Sequence, residues 1–201
     1  MTNETAIVPK QWTQQDLDLI RATTAPKCDP NEFALLLYQA KTYHLDPLLR
    51  QIWAVKYDPG QPARIFVGRD GYLAIAHTSG QFDGMETEIN GEGENMTATT
   101  RVYRKDASHP FTVSVKMKEY NKKSGNWVTM PETMLKKVSQ VQALRQAFNI
   151  SGVYAPEEIP EKELRDYGHV VEPETPEWIR KEREKEAKKK KPGQEPIVVG
   201  S

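Results

Sequence analysis

Residues 97–120, TATTRVYRKDASHPFTVSVKMKEY, and 129–148, TMPETMLKKVSQVQALRQAF, set the architecture of this chain. In the first stretch Phe111, Val113, Val115 and Met117 alternate with Thr112, Ser114, Lys116 and Lys118. That is the two-residue period of a strand with one buried face, expected here from Phe111 to Tyr120. It follows a turn at Asp106 to Pro110 and pairs with Met96 to Lys105, where Ala98 and Val102 join the apolar side and Arg101, Tyr103 and Lys105 the opposite one. One sheet face is then apolar and the other basic, and the apolar face needs a cover. The second stretch supplies it. Thr129-x-x-Glu132, with Pro131 inside, reads as a capping box for a helix of about 17 residues. At about 100° per residue, Met134, Val138, Val141, Leu144 and Phe148 fall within a sector of about 120°. Lys136 and Gln140 lie away from that stripe, Lys137 at its margin and Arg145 inside it. A guanidinium there must snorkel out or find a partner, because an unpaired buried charge is costly.

Charge is distributed unevenly. The 201-residue chain carries 28 Lys and Arg against 28 Asp and Glu, yet 97–148 alone holds ten basic residues (Arg101, Arg104, Lys105, Lys116, Lys118, Lys122, Lys123, Lys136, Lys137, Arg145) against Asp106, Glu119 and Glu132. Such a concentration is expected of a surface that meets a polyanion. Basic groups on the sheet face beside Lys136, Lys137 and Gln140 form a groove able to track phosphates, with Tyr103, Tyr120 and Trp127 as candidate stacking platforms or ordinary packing. The plain alternative is a solvated face.

Upstream, Thr13 with Asp16 opens a short helix, and Asp29-Pro30-Asn31-Glu32 opens another whose apolar side is Phe33, Leu36, Leu37, Ala40 and Tyr43. It should end near His44 or Leu45, before Asp46-Pro47. Trp53 to Tyr57 and Arg64 to Gly68 flank Asp58-Pro59-Gly60 as a hairpin. Asp70 is placed to cap a helix through Tyr72 to Ala76, and Met85 to Ile89 reaches Met96 through a loop longer than two residues. The expected class is α+β: antiparallel hairpins and a small sheet packed on a long helix, with N-terminal helices and a flexible, charged C-terminal tail. Residues 1–12 are expected to be flexible and 13–167 to form the core domain, including a helix at Glu161 to Tyr167. The tail, 168–201, is expected to be a solvated helix or disordered, its run EWIRKEREKEAKKKK (177–191) mixing charges and ending in four lysines.

Catalytic chemistry is hard to find. Cys28 is the single cysteine, which excludes an internal disulfide or a cysteine-based zinc site and fits a reducing compartment. No window approaches the roughly 18–20 apolar residues of a membrane span, and no signal-peptide profile opens the chain, so a cytoplasmic protein is expected. His44, His77, His109 and His169 share no ligand spacing, and no phosphate-binding loop occurs, so neither metal nor nucleotide cofactor is expected. Ser114 and Ser151 have no recognisable activating base nearby. Two rivals to polyanion binding without catalysis remain. Glu86 and Glu88 alternate on one strand and could hold Mg2+ in a nuclease, and the basic face could meet an acidic protein partner.

Several ordered blocks between Phe33 and Tyr154 make the chain similar to a known family. They are Tyr43-His44-Leu45-Asp46-Pro47 before Ile52, Val67-Gly68-Arg69-Asp70-Gly71-Tyr72, Gln81-Phe82-Asp83-Gly84-Met85, Tyr103-Arg104-Lys105-Asp106 with His109-Pro110, Met134-Leu135-Lys136, and Ala143-Leu144-Arg145-Gln146-Ala147-Phe148 with Gly152-Val153-Tyr154. Over about 120 residues these blocks resemble the lambda Red beta, or Bet, family of phage single-strand annealing proteins, within the RecT/Red beta superfamily. The resemblance implies an ATP-independent recombinase, not an enzyme in the bond-making sense. It implies a protein that coats single-stranded DNA, pairs it with a complement and holds the duplex in a homo-oligomer, ring or helical filament. It places Arg50, Arg104, Lys105, Lys136 and Arg145 at the family's basic positions. Together with Arg101, Lys116, Lys118, Lys137 and Gln140 from the charge pattern, these are the expected DNA-binding residues. Val138 departs, because similar proteins carry a lysine there. The resemblance also brings a phage exonuclease and the host single-strand binding protein as partners. In the family a separate helical C-terminal domain engages them, and this chain ends too soon for one.

Overall fold

The computed structural model describes residues 11–57 and 59–158. The expected Glu161 to Tyr167 helix and the charged tail lie outside the described residues, as does nearly all of the N-terminal segment. The structure is α+β. Two helices, α1 (Gln14–Thr24) and α2 (Pro30–Thr42), precede a two-stranded antiparallel hairpin of β1 (Ile52–Val55) and β2 (Arg64–Val67). Helix α3 (Arg69–Thr78) leads into an antiparallel meander, β3 (Phe82–Asn90), β4 (Thr97–Arg104) and β5 (Phe111–Lys116). Short helices α4 (Met117–Tyr120) and α5 (Asn126–Thr129) then deliver the chain to α6 (Pro131–Ala147).

Local chemistry explains most of the boundaries. Both N-terminal capping boxes form: Thr13 and Asp16 exchange bonds, and Asp29 accepts from Asn31 and Glu32 while the Glu32 carboxylate accepts from Asp29 N–H. Helix α3 departs from expectation, starting one residue before Asp70 with Gly68 as an N-cap that has no side chain to offer. Asp70 pairs instead with Arg69 at 3.1 Å. A Cβ at Gly71 would stand 2.5 Å from the Gln51 carbonyl oxygen and 2.7 Å from Val67 Cγ1, so only glycine lets α3 press this closely on the hairpin. The strand expected to reach Tyr120 stops at Lys116. Met117 N–H makes one further bond in register, to the Met96 carbonyl at 2.8 Å, and the chain then coils into α4. The Thr129 capping box does not form either. Thr129 closes α5, whose buried Trp127 anchors the turn, and α6 begins behind Met130 with no side-chain cap.

Helix α6 covers the meander, running alongside β4 with Ser139 near Ala98 and Ala147 near Arg104. It is buried far beyond the single stripe of the helical wheel. Leu135, Val138, Val141, Ala143 and Leu144 are at most 1% exposed, because the sheet covers one side and α3, α5 and the segment after α6 cover others. Each fully buried Leu or Val here contributes about 1.5–3 kcal/mol. Two apolar clusters result. One gathers Ala98, Val115, Met117, Trp127, Met134, Leu135 and Val138 at the N-terminal half of α6, and the other joins its C-terminal half to α2, α3 and the hairpin.

Candidate nucleic-acid interface

The outer face of the meander is not basic. Arg101 points outward as expected, but it pairs with Glu88 at 3.1 Å, and the Tyr103 hydroxyl donates to Glu86 at 3.2 Å. Burial, followed by the Glu86 charge, holds the Tyr103 phenol above its ordinary value. Both glutamates come from β3, outside the basic stretch 97–148. Together they offset Arg101 and leave the β3–β4 part of the face without net positive charge.

The remaining expected contacts divide between the two ends of α6. At its C-terminal end, Arg104 lies on the apolar side of β4. It donates to the Ala147 carbonyl, pairs with Asp106, and sits over the Phe148 and Phe111 rings at 5.2 and 5.9 Å. The guanidinium holds the Asp106 carboxyl below its ordinary value. Arg145 is half-buried. Its Nη2 donates to the Tyr72 hydroxyl and the Val153 carbonyl, each at 2.9 Å, and it lies over the Tyr72 ring at 5.7 Å. These two arginines therefore tie α6 to β4, α3 and the segment that follows. Lys105 is exposed, with Nζ donating to the Gly80 carbonyl at 3.3 Å. Arg50 is exposed in a left-handed turn, φ 57°.

At the N-terminal end stand Lys116 on β5, Lys118 on α4, and Lys136 and Lys137 on α6. Lys116, Lys118 and Lys136 are exposed and Lys137 half-buried, and among the described residues none is within salt-bridge distance of an acid. All four lie on elements that pack in the Met117–Trp127–Leu135 cluster, so the fold brings them to one end of the molecule. Nearby, Lys123 approaches Glu94 at 3.8 Å and Lys122 donates to the Pro156 carbonyl.

Gln140 corrects the expectation of a groove residue. It is 8% exposed, and its Nε2 donates to the Thr87 hydroxyl at 3.2 Å. Thr87 in turn shares a hydrogen bond with Thr100 at 3.0 Å, and the Ser139 hydroxyl reaches Thr100 at 2.7 Å. The four residues form a buried polar chain between helix and sheet. Sequence reasoning misses this chain, because the helical wheel puts Gln140 away from the apolar stripe of α6 and gives Ser139 no partner. Of the aromatic candidates, Trp127 is buried, and the Tyr120 hydroxyl accepts from Gln142 at 2.6 Å.

Among the described residues no group of three or more His, Cys, Asp or Glu could hold a metal ion, and Glu86 and Glu88 are engaged by Tyr103 and Arg101. Cys28 is buried, and burial raises its thiol to about 11, so it is protonated near neutrality. Among the described residues no helix is long and apolar enough to cross a membrane.

The fold and charge placement thus define an α+β protein built on one central helix, with a lysine set open to solvent at one end. Its sequence matches the RecT family over residues 10–171, and the chain belongs to that family. It is also 33% identical over 156 residues to the recombination protein bet of Escherichia phage lambda. That match covers 72% of this chain and 58% of the phage protein's length.

Proposed function

We propose that this chain is an ATP-independent single-strand annealing protein of phage type, acting in DNA recombination on single-stranded DNA and on the duplex it forms. RecT family membership over residues 10–171 carries the reading. The lysines at the N-terminal end of α6 support it chemically. The contact set is Lys116, Lys118, Lys136 and Lys137, extended by Lys105 and Arg50. Arg101 is partly neutralised by Glu88, while Arg104, Gln140 and Arg145 act through packing.

Two complementary strands repel through their phosphates. Neutralising one backbone and holding its bases in order lowers the cost of encounter, while base pairing supplies both sequence choice and driving force. No proton or phosphoryl group moves, so neither metal nor nucleotide is needed. Neighbouring subunits on one strand raise each other's effective concentration, which makes a homo-oligomer the working form. The reading places the protein in the cytoplasm of the bacterial host.

The test is annealing of labelled complementary oligonucleotides in EDTA without nucleotide, with particle size followed as the second strand is added. Full-length duplex formed faster than in buffer supports the reading. Shortened strands appearing only with Mg2+ would favour the nuclease built on Glu86 and Glu88, and failure to retard single-stranded DNA at low salt would favour an acidic protein partner.

A further inference from the structure

The outer face of the meander carries a line of groups suited to extend the lysine set. The register places Lys116 beside Thr97, Ser114 beside Thr99 and Thr112 beside Arg101, all on that face. The Thr99 and Ser114 hydroxyls share a hydrogen bond at 2.8 Å, and Ser114 and Lys116 are exposed. Cations and hydroxyls are the groups that hold phosphate oxygens. From Lys116 to Arg101 is one strand across and four residues along, about 14 Å. A DNA strand leaving the lysines at Lys116 and crossing the sheet would therefore reach Arg101 as its next cation. It meets two carboxylates there. Glu88 pairs with Arg101 at 3.1 Å, and Glu86, directly opposite Arg101 in the register, accepts from the Tyr103 hydroxyl at 3.2 Å.

Stability does not account for this arrangement. Exposed ion pairs add little to folding. One carboxylate suffices to pair one guanidinium, and the second leaves the spot with negative charge in excess. Both glutamates are exposed on the route across the sheet, where their charge repels a phosphate that comes within the screening length. We propose that Glu86 and Glu88 are specificity-determining residues that end the DNA strand's track at Lys116, withholding Arg101 from phosphate and turning the backbone away from the sheet face. The proposal deepens the annealing reading and rests on it. Its consequence is kinetic as well as energetic. One more phosphate held by each copy would tighten the grip on the first strand and slow its release into duplex, so the two carboxylates keep the hold weak.

Fluorescence anisotropy of a labelled oligothymidine, titrated with the full chain at several salt concentrations in EDTA, tests it beside annealing of a mixed-sequence oligonucleotide to its complement. Glu86→Gln/Glu88→Gln keeps the size of both side chains and should melt like the wild type. Its log-log salt slope should be steeper by about 0.7, so that between about 50 and 200 mM salt its affinity falls roughly 2.6-fold further than that of the wild type. At low salt it should bind more tightly and anneal more slowly. Arg101→Ala should keep the wild-type slope, and adding Arg101→Ala to the double variant should return that variant's slope to the wild-type value. The last comparison separates a guarded arginine from a general loss of negative charge, whose effect would persist without Arg101. An unchanged slope in the double variant, a steeper slope that survives Arg101→Ala, or a slope lowered by Arg101→Ala alone would each overturn the proposal. Aggregation of the double variant with no gain in binding would also overturn it, assigning the carboxylates to protection of the free edge of β3. Should the double variant lose its cooperative melt, Glu88→Gln alone carries the same comparison. Failure of the wild type to bind single-stranded DNA refutes the annealing reading and the proposal with it, whereas wild-type binding with unmoved variants refutes the proposal alone.

Discussion

Replacing Arg145 by alanine separates a residue that holds α6 in place from one that holds DNA. The change removes two charged hydrogen bonds, to the Tyr72 hydroxyl and the Val153 carbonyl at 2.9 Å each, and the stacking of the guanidinium on Tyr72. Hydrogen bonds to charged groups contribute about 1.5–3 kcal/mol each. The half-buried setting argues for the lower figure, and the cation–π contact adds about 0.5–1 kcal/mol. A loss of about 3.5–4 kcal/mol follows, which in a chain of this size lowers Tm by about 7–16 °C. Thermal melts and salt-dependent binding of single-stranded DNA, both measured on the same preparations, decide the case. Well below the melt, Arg145→Ala should bind with an unchanged salt slope, because no phosphate ligand has been removed. A melt within about 2 °C of wild type together with a slope reduced by about 0.7 would refute the packing role and make Arg145 a phosphate ligand.

Lys136→Ala and Lys116→Ala should behave in the opposite way, keeping Tm while the log-log salt slope falls by about 0.7 for each phosphate no longer neutralised; an unchanged slope in both removes them from the interface. Ser139→Ala should cost about 1–2 kcal/mol in denaturant unfolding, since it strips a donor from the buried Thr100 hydroxyl, and a loss below about 0.5 kcal/mol would mean that the polar chain is not rigid. Glu32 supplies the acid-side test. Its carboxylate accepts from Lys56 at 2.9 Å and from the backbone N–H of Asp29 and Ala63, which hold it below its ordinary value of 4.5. The stability this adds is present above the unfolded carboxylate value and is lost as pH falls through the lower folded one. Glu32→Gln should therefore melt below wild type at neutral pH, and the gap should narrow on acidification. Parallel Tm curves would exclude the linkage.

The parts of the fold legible in the sequence are those decided within a few residues. Thr13 with Asp16, Asp29 with Glu32, the turn after Asn90 and the alternation from Phe111 to Val115 each carry their own partners, so distant parts of the chain cannot change them. Features decided by remote contacts are not legible in the same way. A helical wheel assumes one buried side, yet α6 meets the sheet and other elements at once, which is why Gln140 is interior. Val138 is legible as core because it lies on the stripe that faces the sheet under either view. The basic sheet face fails for a related reason. Glu86 and Glu88 enter from β3, and the Glu86–Arg101 register that brings them opposite β4 exists only once the meander has formed.

That neutralisation bears on how the protein can hold a polyanion. Cross-strand neighbours stand about 5 Å apart, inside the roughly 8 Å screening length of physiological salt, so Glu86 and Glu88 cancel much of the field of Arg101. Lys116, Lys118, Lys136 and Lys137 escape that pairing, but Glu119 and Glu132 stand on the same elements. One copy then offers a net excess of about two charges at this end, which supports only a weak, salt-sensitive hold on a single strand. Weak individual sites are useful to an annealing protein, because bases held too firmly are slow to pair. They become effective when copies line up and the strand meets many of them at once. Charge too sparse for one subunit makes the hold on DNA, on the proposed reading, a property of several copies on one strand, so affinity should rise far more steeply with strand length than a single independent site allows.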